Sequence, residues 1–288
     1  MKRKYKSIIG LCLVLLLVVC YLNWKLEVIA VHPLAYSDYY DIRVMTWNIH
    51  ASKDISISKQ RAIAGVIKEQ NVDFLLLNEF NKDQCKQLYQ ELASVYRYSE
   101  EQYANRECGD IIFSKIALDE SGHIEIPVIG KFVPSISATI QVAGREVFVT
   151  GVHLASNSGD GSAIISGVDS LLKIKSFIER YRSKQKERSY SMMWVKSWLQ
   201  ERHMPAIVMG DMNDFSCSRP MDSLKIVGMK DAWWEGGFGY GRTFHTGWMR
   251  LRIDHILYSK ELKLENVKVI DTDLSDHNPV VAGFSISK

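Results

Sequence analysis

The rhythm of apolar and polar positions changes several times along the chain, and each change predicts an element. Ile8 to Leu22 is an unbroken apolar run with Gly10 inside it. Ile42 to His50 then alternates apolar and polar residues, the two-residue period of a strand. Ser58 to Gln70 places Ile63, Val66 and Ile67 on one helical face, and Phe74 to Phe80 is short, apolar and strand-like. Further strands are predicted at Asp110 to Ser114, Ser135 to Val142 and Glu146 to His153. A long helix over Ser162 to Arg188 carries Val168, Leu171, Leu172, Ile178 and Tyr181 at helical spacing, and a second helical stretch covers Trp194 to Glu201. The short apolar run Ile207 to Met209 ends at Gly210, Arg252 to Tyr258 reads as a strand, and a last strand opens after Ser275. Strands alternating with helices predict an α/β protein.

The apolar leader follows Lys2, Arg3 and Lys4 and is bracketed by Tyr5, Tyr21 and Trp24. It predicts a single transmembrane helix within an anchor of residues 1–24, with a cytoplasmic amino terminus and the catalytic body outside the cytoplasm. A cleaved signal peptide and a lipoprotein signal ending at Cys20 fit less well, because no small-residue cleavage site follows closely and Val19 is bulky. Residues 25–41 read as a tether with little fixed structure, and residues 42–288 as the catalytic domain.

Charge narrows the choice of partners. The formal net charge is +3, but Lys2, Arg3, Lys4, Lys6 and Lys25 against Glu27 place +4 in the first 29 residues, which leaves 3 − 4 = −1 for the rest. Such a body is not a general nucleic-acid binder. Between Lys173 and Arg202 nine basic and three acidic residues form a local surplus, which fits a solvated helix face or a polyanion contact. The five cysteines show no CxxC spacing, so neither a zinc site nor a disulfide framework is indicated.

Candidate chemistry gathers where strands end. Asn48 and His50 close one strand, Glu79 closes the next, and His153 closes a third. Gly210-Asp211-Met212-Asn213-Asp214 turns acid, amide and acid out of a buried strand, with Gly210 at a place where backbone must turn or approach closely. A carboxylate beside a carboxamide suits phosphoester chemistry, since one handles a proton or a metal and the other donates to a phosphoryl oxygen. Asp254 interrupts an apolar strand, and Ser275-Asp276-His277-Asn278-Pro279 sets an acid beside an imidazole. The aromatic and glycine-rich loop Gly236 to Arg252, with Tyr240, Arg242, Phe244, His245 and Trp248, is the segment most suited to substrate selection.

The ordered set Trp47-Asn48, Asn78-Glu79, His153, Gly210-Asp211-Met212-Asn213, Ile253-Asp254 and Ser275-Asp276-His277-Asn278-Pro279 resembles the endonuclease/exonuclease/phosphatase superfamily over residues 42 to 286. The resemblance implies a deoxyribonuclease I-like four-layer α/β sandwich, two packed mixed β-sheets flanked by helices. It also implies a Mg²⁺ cofactor, or Mn²⁺ in its place, with Glu79 as principal ligand, Asn48 beside it and Asp276 close by. Asp211 and Asn213 resemble the pair at the reacting and phosphoryl oxygens, and His277 oriented by Asp254 a histidine–acid dyad with His277 as base. His153 resembles the second catalytic histidine. Asn78 and Met212 depart from the glutamine and phenylalanine common in the family. Bacterial membrane-anchored members look most similar.

The expected function is a divalent-metal-dependent phosphodiesterase or phosphatase, acting by in-line attack of water and monomeric. Its phosphoester substrate is a lipid headgroup, a nucleic acid or a small phosphoester. A nuclease cleaving DNA or RNA is the alternative, and an inactive membrane-tethered binding module a third reading that the complete motif set disfavours.

Overall fold

The computed structural model describes residues 2–34, 37, 39–51, 55–103, 109–128, 131–157, 171–246 and 249–286. Its helices are α1 (Lys2–Leu26), α2 (Ile57–Gln70), α3 (Lys86–Ala93), α4 (Leu171–Arg202), α5 (Arg219–Lys225) and α6 (Ala232–Gly236). The strands up to the middle of the chain are β1 (Ala30–Val31), β2 (Ile42–Asn48), β3 (Phe74–Phe80), β4 (Tyr98–Tyr103), β5 (Gly109–Ser114), β6 (Asp119–Val128), β7 (Lys131–Val142) and β8 (Arg145–His153). Those after it are β9 (Ala206–Asp211), β10 (Lys230–Asp231), β11 (Phe238–Gly239), β12 (Phe244–Thr246), β13 (Met249–Leu251), β14 (Asp254–Tyr258), β15 (Leu262–Val269) and β16 (Val280–Ile286).

Two mixed six-stranded sheets form the body, ordered β15-β16-β2-β3-β5-β4 and β10-β14-β9-β8-β7-β6. Each has one parallel pair at its heart, β2 with β3 and β8 with β9, while the other neighbours run antiparallel. Side-chain alternation along the strands sorts the core into layers. Ile42, Val44, Phe74 and Leu76 face Val147, Val149, Ile207 and Met209 between the sheets. On the outer face of the first sheet Met45, Trp47, Leu75 and Leu77 pack on Ile63 and Ile67 of α2 and Leu88 and Leu92 of α3. On the outer face of the second, Val152, Val208 and Leu257 pack on Met192 and Val195 of α4 and Met221 and Leu224 of α5. This is the four-layer sandwich of mixed sheets that the sequence resemblance implies.

The transmembrane helix is overturned. Among the described residues no helix is long and apolar enough to cross a membrane. The reason is length: the fifteen residues from Ile8 to Leu22 rise about 22 Å at 1.5 Å each, short of the roughly 30 Å hydrocarbon core. Extending the window towards the amino terminus brings in Lys6, Lys4, Arg3 and Lys2. The segment after α1 is also more ordered than a loose tether. Asn23 exchanges hydrogen bonds with the Ile29 backbone, β1 pairs antiparallel with β11, and the Glu27 carbonyl accepts from Arg252.

The two helical stretches expected between Ser162 and Glu201 are one continuous α4 from Leu171, and the expected start at 162–170 lies outside the described residues, as does Trp248.

Candidate active site

The topology decides where the polar groups meet. Parallel strands β2 and β3 end side by side, with Asn48 opposite Asn78, and β8 and β9 do the same, with His153 opposite Asp211. Strand β14 runs antiparallel to β9 and begins at Asp254, which pairs with Asp211. Strand β16 runs antiparallel to β2, so Asp276 and His277, just before it, arrive at the same rim. The carboxyl ends of two parallel pairs and the starts of two antiparallel strands thus converge on one edge.

Backbone strain collects there. Glu79, His50 and Asn213 adopt left-handed conformations with φ of 54°, 48° and 52°. Non-glycine residues hold such conformations only where the surrounding structure enforces them, and such outliers cluster at functional sites. Glu79 sits in an irregularity of the β3–β5 ladder between Leu77 and Phe80, which turns its carboxylate out of an otherwise apolar strand. Gly210 has φ 139°, and a Cβ there would stand 1.9 Å from the Val152 carbonyl oxygen. The close approach of β9 to β8 beside the site therefore requires glycine.

The eight residues singled out from sequence are all brought to this rim. Asn48 donates from Nδ2 to Glu79 Oε1 at 3.0 Å and to Asp211 Oδ2 at 3.1 Å, while its Oδ1 accepts from the His50 backbone N–H. Asp211 accepts from the Asn213 backbone N–H at 2.9 Å, and Asn213 Nδ2 donates to the Leu154 carbonyl at 3.1 Å. His277 Nδ1 lies 2.8 Å from Asp254 Oδ2, and its Nε2 is 3.8 Å from Asp211 Oδ2. The His277 ring packs on Phe244 with centroids 4.8 Å apart, its backbone is held by Ser275 and Trp47, and Thr243 accepts from the Asp254 backbone N–H. His153 stands 3.8 Å from Asp211 and 3.9 Å from both Glu79 and Asp110.

Two further side chains belong to the rim. His50 Nδ1 lies 3.0 and 3.1 Å from the two oxygens of Asp276. Asp110 is buried beside His153 and accepts from Asn78 Nδ2 at 2.9 Å, while Asn78 Oδ1 accepts from the Asp211 backbone. The departure from glutamine at Asn78 thus leaves an amide that bridges two of the acids. Asp110 opens the apolar run Ile111-Ile112-Phe113, the same signal that marks Glu79, and could have been found by it.

So many carboxylates in one place shift the histidines. Burial pulls His277 down, but Asp254 and Asp211 outweigh it and push it up to about 10. Burial also opposes charge on His153, and Asp110, Asp211 and Glu79 together still raise it. His50 is raised by its hydrogen bond to Asp276, and Asp276 is lowered because His50 and His277 outweigh burial. Burial raises Asp110. The surrounding carboxylates therefore favour the protonated form of His277.

The donor set fits a hard divalent cation. It is built from oxygens, with Glu79, which Asn48 engages, and Asp276 supplying carboxylates. Asp211, Asp254 and His277 also offer ligand atoms within 4.8 Å of one another. In that trio, however, His277 Nδ1 and Asp254 Oδ2 are already joined at 2.8 Å, so a dyad describes it better than a coordination set.

The chain matches the Endonuclease/Exonuclease/phosphatase family over residues 45–277. Among curated proteins no sequence match is found. Solved structures share the fold. The crystal structure of D. rerio TDP2 complexed with single strand DNA product has 17% identity and a TM-score of 0.66, covering 85% of this chain and 98% of that one. The human Nocturnin catalytic domain with bound sulfate anion has 20% identity and a TM-score of 0.62, with 88% and 97% covered. An endonuclease/exonuclease/phosphatase from Beutenbergia cavernae has 21% identity and a TM-score of 0.63, with 86% and 72% covered. With the family matched across most of its length, from the strand that carries Asn48 to His277 itself, this chain belongs to the Endonuclease/Exonuclease/phosphatase family of phosphoester-hydrolysing enzymes.

Proposed function

We propose that the protein is a divalent-metal-dependent phosphodiesterase or phosphatase whose proton transfers run through His277, held by Asp254. The observation that carries this is the convergence of Glu79, Asp211, Asp254 and Asp276 with His153 and His277 on one rim. Glu79, with Asp276 and Asn48 beside it, would hold the cation, which supplies positive charge against phosphoryl oxygens and offsets the carboxylates that keep His277 protonated. Asn48 is placed as a donor to Glu79 and Asp211, so it orients the acids at least as much as it ligates.

The rest follows from the side chains. Asp254 takes up His277 Nδ1, which fixes the ring and leaves Nε2 as the position that exchanges a proton with the attacking water. Asp211 lies between the two imidazoles, 3.8 Å from each Nε2, where it stabilises positive charge on either. Asn213, anchored on Leu154, offers an amide donor to a phosphoryl oxygen without adding charge. Neighbouring acids favour charge on His153, and among the described residues no side-chain hydrogen bond fixes its ring, which suits contact with the substrate phosphate.

Cleavage of a nucleic acid is the second reading. It is favoured by the likeness to a TDP2 that was crystallised with a single-stranded DNA product. The purified protein should be assayed with Mg²⁺ and with excess chelator against DNA, RNA, sphingomyelin, phosphatidylinositides and a bis-aryl phosphate. Turnover in Mg²⁺ that chelator abolishes is expected, and the preferred substrate separates the two readings. Full activity in chelator contradicts the metal role.

A further inference from the structure

Arg188, in the middle of α4, is fully buried, and nothing in the proposed chemistry uses it. Its Nε donates to Asp214 Oδ2 at 2.9 Å. Its Nη1 donates to the Ala155 carbonyl at 2.9 Å and to Asn157 Oδ1 at 3.1 Å. Asp214 is the residue after Asn213, and Ala155 and Asn157 follow His153 by two and four positions. One guanidinium therefore ties together the two loops that leave the ends of the parallel pair β8 and β9. Tyr181, about two turns earlier on α4, donates to the other Asp214 oxygen at 2.8 Å, and His255 Nε2 lies 3.0 Å from the Asp214 carbonyl.

A buried ion pair is weak evidence for stability, because desolvating two charges offsets much of their attraction. What an arginine adds is geometry, since its planar fork fixes several acceptors at once in a way that a lysine point charge cannot. The acceptors in this case, the Asp214 and Asn157 side chains and the Ala155 carbonyl, lie on the two loops that follow Asn213 and His153, so fixing them together fixes the spacing of those loops. We propose that Arg188 is a positioning residue of the active site, and that it acts by holding the Asn213 loop against the His153 loop. The part of this that concerns turnover rests on the phosphoesterase reading above, while the part that concerns loop order does not.

The test uses the full chain. Arg188→Met should lower kcat on a bis-aryl phosphate in Mg²⁺ about 100-fold, the scale of a misplacement of about 1 Å in a reacting group. Arg188→Lys should fail to rescue it, and in an Asn213→Ala background Arg188→Met should cost little more, since both changes act through the same amide. Amide hydrogen exchange by mass spectrometry should quicken at 154–157 and 211–216 while residues 206–209 and 147–150 keep their protection. If Arg188→Met does not fold, Asn157→Ala removes one arm of the clamp at a less buried residue, and faster exchange confined to 154–157 is then expected. Rescue by Arg188→Lys to within about threefold of wild type overturns the proposal, because charge balance is then enough. Losses that multiply with Asn213→Ala, or exchange that is unchanged or rises uniformly, overturn it too. Should the wild type hydrolyse no phosphoester, the proposed function falls, and the exchange pattern alone decides the role of Arg188.

Discussion

The two histidines of the rim stand in contrasting surroundings. His277 is buried, packed at a tilt against Phe244 and bonded through Nδ1 to Asp254 at 2.8 Å. His153 is partly exposed, and its nearest acid on the Nδ1 side, Asp110, is 3.9 Å away and accepts from Asn78 instead. Both are raised by neighbouring carboxylates, so charge alone does not distinguish them. Geometry does. A ring with one nitrogen fixed has a defined reactive nitrogen, whereas a ring held only by distant charge can turn towards whatever anion enters. The contrast supports the proposed roles, proton transfer for His277 and contact with the phosphate for His153.

That contrast breaks most visibly at His277. Replacing it by alanine should lower kcat about 1,000-fold, within the usual range for a general acid–base group, and Asp254→Asn should come close to that loss. His153→Ala should cost less, about 10- to 100-fold, and more of it should appear in KM, as expected of a group that binds the substrate anion. A greater loss in kcat from His153→Ala than from His277→Ala would exchange the two roles. The smallest effect should be at Asp110, which Asn78 rather than His153 engages, so Asp110→Asn should stay within about tenfold of wild type. Steady-state kinetics on one substrate at fixed Mg²⁺ ranks all four.

Glu79 stands outside this ranking because its proposed role is to hold the cation. Glu79→Gln should abolish Mg²⁺ binding by titration calorimetry and leave the circular dichroism spectrum unchanged, since the residue turns out of the core at a ladder irregularity. Undiminished Mg²⁺ affinity would move the metal elsewhere, Asp211, Asp254 and His277 being the next set to test.

The pH dependence of stability sharpens the comparison further. In chelator, His277 has an ordinary value of 6.5 when unfolded and about 10 when folded. Its raised value stabilises the fold fully below pH 6.5, and that contribution is lost as the pH climbs towards 10. Thermal unfolding in chelator should therefore weaken over this window, and His277→Ala should flatten the slope. Asp231 works in the opposite direction. Burial resists its charge, but Arg252 and His255 outweigh burial and lower it, so its contribution is present above its ordinary 3.8 and fades on acidification. A stability curve for the wild type that is flat from pH 6.5 to 10 would show that the carboxylates do not hold a proton on His277.

Much of the rim was legible in the sequence because strand ends announce themselves. An apolar run such as Phe74 to Leu77 that stops at Asn78-Glu79 has a polar terminus that no core accepts, and the same logic picked out Asp211 and Asp254, while His153 rested on the family resemblance. What the strands could not reveal was the pairing across them. That Asn78 would bridge Asp110 and Asp211 depends on the register of three strands from both sheets, and that His50 would hold Asp276 depends on a left-handed turn after β2. Arg188 was invisible for another reason, since it lies in a basic stretch of α4 where charge reads as solvent exposure. The leader misled because its aromatic flanks mimic those of a span, while its apolar length falls short of one.

The most direct test of the account is the cycle that joins Asp254→Asn and His277→Ala. Residues that act as a unit are not additive, so the double variant should turn over the bis-aryl phosphate within about threefold of His277→Ala alone. If the two losses multiply instead, the 2.8 Å contact between them is structural, and proton transfer does not run through this pair.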